Sequence, residues 1–140
     1  MKKPIIYGSL SALWTCLILN MSTQNAEKSS GVSRGILKSL LLTFYKITSI
    51  EISPDTLHHL FRKAAHFTEF FILGMLAALF FKSISKNKLL AVAYGAVIAF
   101  SDELTQLFTG GGRSMQLSDM LIDIFGVIIA VLIVKLTQKA

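Results

Sequence analysis

Four stretches of the chain are apolar over the length a helix needs to cross lipid, about 20 residues with about 17 as a working minimum. They run from Ile5 to Met21, Phe67 to Ile84 with Lys82 near its end, Leu89 to Phe108, and Leu117 to Leu136. The pattern predicts an all-α, polytopic membrane protein: one domain over residues 1–140, with four transmembrane helices.

The longest connection, Ser22 to Ser53, has its own pattern. Gln24, Asn25, Glu27, Lys28, Ser29, Ser30 and Gly31 read as loop. From Ser33, residues Ile36, Leu37, Leu40, Leu41, Phe44 and Ile47 recur at helical spacing, while Lys38 and Lys46 fall elsewhere. An additional amphipathic helix is expected there, lying on the membrane surface or packed against the bundle. Ser53-Pro54 then has the form of an N-cap followed by proline at the first helical position. The second helix is therefore expected to begin near Asp55 and pass through His58, Arg62, His66 and Glu69 before its apolar run.

The first run follows Lys2 and Lys3 and gives way to the polar Ser22-Thr23-Gln24-Asn25, the layout of a secretory signal as well as of an anchor. Its spanning length and the lack of a small-x-small cleavage site favour a retained span.

Composition agrees with a lipid environment. The 140 residues are 53% hydrophobic and 16% charged, with a mean hydropathy of +0.62, whereas soluble domains carry about 25% charged residues. The net charge of +6 does not indicate nucleic acid, because the Lys and Arg residues are scattered between apolar runs instead of forming a patch. Cys16, the only cysteine, excludes an internal disulfide and is expected to be a buried small hydrophobe. Lys2, Lys3, Lys82, Lys86, Lys88, Lys135 and Lys139 all fall on one side of a four-span arrangement, and Arg113 is the cation of the opposite short loop. The positive-inside rule then puts both termini in the cytoplasm, against the pull of Arg34, Lys38, Lys46, Arg62 and Lys63.

The remaining charges collect at three helix ends that alternation of spans brings together. Arg62, Lys63, His66 and Glu69 open the second span, Asp102, Glu103 and Gln106 close the third, and Asp119 and Asp123 open the fourth. Residues three or four apart share a helix face, so Arg62, His66 and Glu69 form one stripe, Asp102 and Gln106 a second, and Asp119 and Asp123 a third. Ionisable groups inside spans cost at least a few kcal/mol each when unpaired and turn toward a bundle interior or a wet cavity. Three uses of such a cluster remain open. It can be a salt-bridge network that fixes helix register without a ligand. It can bind an anionic headgroup through Arg62, Lys63 and Arg113, with Gly110, Gly111 and Gly112 letting backbone amides approach and two helix N-termini adding their dipoles. It can also serve an enzyme, since His66, Glu69, Asp102, Glu103, Asp119 and Asp123 supply enough ligands for a divalent metal and paired carboxylates for acid–base work. Neither a two-histidine zinc motif nor a Ser or Cys nucleophile in a recognised turn is present, and no metal or cofactor is assigned. His58 and His59 are adjacent, on different faces, and read as interfacial surface residues.

At these residues the chain resembles the VanZ-like family of bacterial membrane proteins. The resemblance lies in Arg62-Lys63-x-x-His66-Phe67-x-Glu69-Phe70, Asp102-Glu103-x-x-Gln106-x-Phe108, Gly112-Arg113 and Asp119-x-x-x-Asp123-x-x-Gly126. It implies a four-span protein of the bacterial cytoplasmic membrane, and the family's namesake is associated with resistance to teicoplanin, a lipid-bearing glycopeptide antibiotic. The expected function is binding of a lipid headgroup or amphiphilic envelope compound in an outer-face charged pocket. The alternative is a membrane-embedded, metal-assisted enzyme acting on a lipid or cell-wall intermediate. Membrane lipids or a lipid-linked envelope compound are the expected partners. Oligomeric state is left open, because Gly74, Ala77, Ala78, Gly95, Ala96 and Ala99 allow close packing within one chain or between chains.

Overall fold

The four apolar runs fold as helices. The computed structural model describes residues 2–23, 43, 45, 53–85, 87–109 and 115–137. Its long elements are α1 (Lys2–Ser22), α2 (Pro54–Ile84), α3 (Leu89–Phe108) and α4 (Leu117–Leu136). Ser53 caps α2 as its sequence suggests, its hydroxyl accepting the Thr56 backbone N–H at 3.2 Å, with Pro54 in the first turn. At 31 residues α2 is about 46 Å long, well beyond the roughly 30 Å of a hydrocarbon layer. Its charged first turns therefore stand outside the apolar stretch. The amphipathic helix expected from Ser33 lies outside the described residues, apart from Thr43 and Tyr45, which are helical and exposed.

Three helices, α1, α2 and α4, are long and apolar enough to cross a membrane. α3 has the length but falls short in apolarity, because Asp102, Glu103 and Gln106 crowd its last turns. Those three are buried, whereas Leu89, Val97, Phe100, Leu107 and Phe108 are exposed, so what α3 presents outward is largely apolar.

Side-chain contacts fix the directions. Gly8 faces Phe80 while Trp14 Nε1 donates to the Glu69 carbonyl at 2.9 Å, so α1 and α2 are antiparallel. Thr15 and Tyr94 share a hydroxyl–hydroxyl bond of 2.6 Å and Ser22 meets Asp102, so α1 and α3 are parallel. α2 and α4 also run side by side in one direction, His66 level with Asp123 and Gly74 level with Val127 and Ala130. Each of α2 and α3 touches all the other helices, and α1 and α4 do not meet.

The core consists of Ile18, Phe70, Leu73, Ala77, Ala78, Ala91, Ala99, Val127, Val131 and Val134. Lipid tails are as apolar as these side chains, so close fit does what exclusion from water does in a soluble core. Two glycines show how close the fit is. A Cβ on Gly74 would lie 2.8 Å from the Val127 Cα, and one on Gly126 would lie 2.8 Å from the Phe67 carbonyl oxygen. Gly74, Ala77, Ala78, Gly95 and Ala99 are thus used for packing within the chain.

α1 departs from expectation. It buries Ser11, Ile18 and Ser22, with Trp14 and Thr15 half-buried between them, and this single stripe leaves Cys16 on the other side. Cys16 is exposed, not buried. A run apolar around its whole circumference carries no internal signal for which face will pack.

Candidate functional site

One end of the bundle gathers the N-terminal part of α2, the C-terminal ends of α1 and α3, and the start of α4. The close approach permitted by Gly126 lays α4 against the α2 backbone at Phe67 and Phe71, one turn from where His66 and Asp123 must meet. His66 Nδ1 stands 3.1 Å from Asp123 Oδ1 and 3.9 Å from Asp102 Oδ2, and its Nε2 stands 4.0 Å from Asp119 Oδ2. The imidazole is thereby surrounded by carboxylates from α3 and α4.

Arg62 bridges the same two helices one turn earlier. Its Nε lies 3.2 Å from Asp119 Oδ2, and its Nη2 donates to Gln106 Oε1 at 2.9 Å. Gln106 Nε2 in turn donates to Asp102 Oδ2 at 2.8 Å, the i, i+4 partner on its own stripe. Lys63 Nζ is 3.7 Å from Asp119 Oδ1 and 3.5 Å from Ser118 Oγ, to which it donates. Glu103 Oε2 accepts the Gln116 backbone N–H at 2.6 Å and ties the end of α3 to the start of α4.

Burial sorts the cluster into a floor and a rim. Asp102, Glu103, Gln106, Asp119, Asp123 and His66 are buried, while the Arg62 and Lys63 side chains keep 24% and 41% of their surface in the open. The cationic ends of both reach Asp119, Arg62 Nε to Oδ2 and Lys63 Nζ to Oδ1.

The structure brings together Arg62, Lys63, His66, Asp102, Glu103, Gln106, Asp119 and Asp123. Glu69, expected on the same stripe, is half-buried, and its carbonyl receives the α1 indole. Arg113 and Gly110, Gly111 and Gly112 lie outside the described residues. Ser22 was not singled out by the sequence, where it opens a polar segment. It is buried in the last turn of α1, and its hydroxyl donates to Asp102 Oδ1, with the Ile18 carbonyl as the alternative acceptor at 2.9 Å. A hydroxyl at the apolar boundary, four residues after Ile18 and so on the same helix face, was the available signal.

Among the described residues this is a helical membrane protein whose buried ionisable side chains converge at one bundle end. The sequence profile of the VanZ/LLP1 family matches residues 8–138, so the match takes in α1 as well as the three helices that carry the cluster, and the chain belongs to that family. No curated protein and no solved structure gave a significant match.

Proposed function

We propose that this protein is a four-span envelope membrane protein that binds the polar end of an amphiphile, a lipid headgroup or a lipid-linked envelope compound, at the charged bundle end. The observation that carries the reading is the rim. Arg62 and Lys63 are accessible cations at a membrane boundary, on the same helix turns as the exposed apolar residues Leu60 and Phe61. Across from them Phe108 and Leu117 are exposed as well. A ligand with an anionic head and an acyl tail meets cations and apolar surface together there. Arg113 falls between α3 and α4 in the sequence and is the second cation included in the test.

α3 serves as the fourth span, because its acids face inward and its outward residues suit lipid. α1 is a retained span, supported by its bonds to the Glu69 carbonyl, Tyr94 and Asp102. The lysine distribution orients both termini to the cytoplasm and the charged end outward. The namesake's link to teicoplanin makes lipid-bearing glycopeptides one amphiphile to test. The enzymatic alternative draws on His66 and its carboxylates, but these are covered in this structure, which favours binding at the rim over chemistry at the floor.

The test is native mass spectrometry of the protein released from nanodiscs of mixed phosphatidylglycerol and phosphatidylcholine. Wild type is expected to retain the anionic lipid selectively, and Lys63→Gln/Arg113→Gln to lose that selectivity. Equal retention of both lipids by wild type contradicts the reading.

A further inference from the structure

We infer that His66, Asp102, Glu103 and Asp123 form a binding site for one divalent transition-metal cation, of the Mn2+ or Zn2+ class, beneath the Arg62–Lys63 rim. Each of the four residues offers a ligand atom, all of these atoms lie within 4.8 Å of one another, and all four residues are buried.

Two further observations set this group apart from a cluster of acids that merely happen to be neighbours. The first is unmet valence. Glu103 and Asp123 are both 0% exposed, and among the described residues Glu103 Oε1 and Asp123 Oδ2 accept no hydrogen bond. A buried carboxylate oxygen without a partner is costly in any protein and more so at membrane depth. Asp119 differs, since its Oδ2 has the Arg62 guanidinium 3.2 Å away.

The second is charge. The four acids of the floor bring four negative charges when ionised, and the two rim cations offset two, both of them directed at Asp119. Among the described residues, no Lys or Arg lies within ion-pair distance of Asp102, Glu103 or Asp123, and His66 reaches Asp102 and Asp123. A divalent ion supplies the missing charge at the point where the three carboxylates meet.

The spacing suits an ion. At metal–oxygen bond lengths near 2.1 Å, adjacent ligands of an octahedral ion stand about 3.0 Å apart and opposite ligands about 4.2 Å apart. His66 Nδ1 and Asp123 Oδ1, at 3.1 Å, fit an adjacent pair, and the overall spread of 4.8 Å needs only a contraction of several tenths of an ångström. An imidazole among the donors distinguishes the group from Mg2+ and Ca2+ sites, which take oxygens, and suits a first-row transition ion. Asp119 completes the arrangement. It stands on the Nε2 side of the ring, where a histidine ligating through Nδ1 needs a carboxylate for its remaining N–H, and it is itself held by Arg62 and Lys63. Ser22 and Gln106 hold Asp102 in the same supporting way. The cation site does not depend on an amphiphile above it.

The test uses the full chain in detergent, stripped with a chelator and titrated with Mn2+ while the free ion is followed by electron paramagnetic resonance. One Mn2+ per chain is expected, displaceable by Zn2+, together with a metal-dependent rise in unfolding temperature. Glu103→Gln keeps an acceptor for the Gln116 N–H, and Asp123→Asn keeps side-chain shape. Each is expected to weaken Mn2+ binding at least tenfold and to remove the temperature shift, while the exposed Asp55→Asn binds as wild type does. Folded wild type that takes up neither Mn2+ nor Zn2+ overturns the site, as does undiminished binding in both folded variants.

Discussion

The two ends of this bundle are held together in different ways. Toward the end that holds Phe80 and Val134, helices meet through Leu73, Ala77, Ala78, Ala91 and Val131, with no buried Asp, Glu, His, Lys or Arg there among the described residues. At the other end the same helices bury four carboxylates and a histidine and keep two cations on the rim. In lipid the first arrangement suffices for a stable helix bundle. The second adds desolvation cost that good pairing only partly returns, a cost that the proposed function assigns to ligand binding.

The comparison can be broken first at Asp119, which alone receives both rim cations. Asp119→Ala leaves Arg62 and Lys63 without their shared carboxylate and is expected to destabilise the protein by about 2–3 kcal/mol, less than for a fully buried pair because both cations keep contact with solvent, read as a fall in unfolding temperature in detergent. A change of similar size at Val131→Ala would erase the distinction between the ends.

A smaller effect is expected from adding one methyl group. In Gly126→Ala the new carbon meets the Phe67 carbonyl, which is backbone and cannot rotate aside, so a loss of about 1–3 kcal/mol is expected. In Gly8→Ala, at the apolar end, the neighbour 2.9 Å away is the Phe80 ring, which can turn. That substitution is expected to cost less than Gly126→Ala in the same unfolding experiment. The smallest effect belongs to Cys16→Ala, on a face of α1 left exposed by the described residues, with a change within about 0.5 kcal/mol. A large loss there would indicate that a second copy covers this face.

The legibility of these features in the sequence follows from how local their causes are. The Ser53-Pro54 start of α2 and the limits of α3 and α4 depend on residues beside them in the chain, and the structure places them where the pattern does. Convergence of Arg62, His66, Asp102, Asp119 and Asp123 follows from alternation of antiparallel helices and needs no coordinates. The rotation of α1 was not legible, because an evenly apolar helix has no preferred face until its neighbours choose one. For that reason Cys16 was expected inside and Ser22 was passed over. Division of the cluster into floor and rim was also invisible, since Arg62 and His66 share a stripe and differ only in depth. The bond from the Trp14 indole to the Glu69 carbonyl joins residues 55 apart in sequence, so no local pattern announces it.

The most direct test of the claim that the charged end serves binding and not folding is native mass spectrometry of Arg62→Met/Asp119→Leu from phosphatidylglycerol-containing nanodiscs. This double change removes a charge pair together, and well-packed apolar replacements of buried pairs are commonly neutral or stabilising. The expected result is a folded chain with intact α2–α4 packing and no selectively retained anionic lipid. A double variant that fails to fold, or one that folds and keeps the lipid as wild type does, would contradict it.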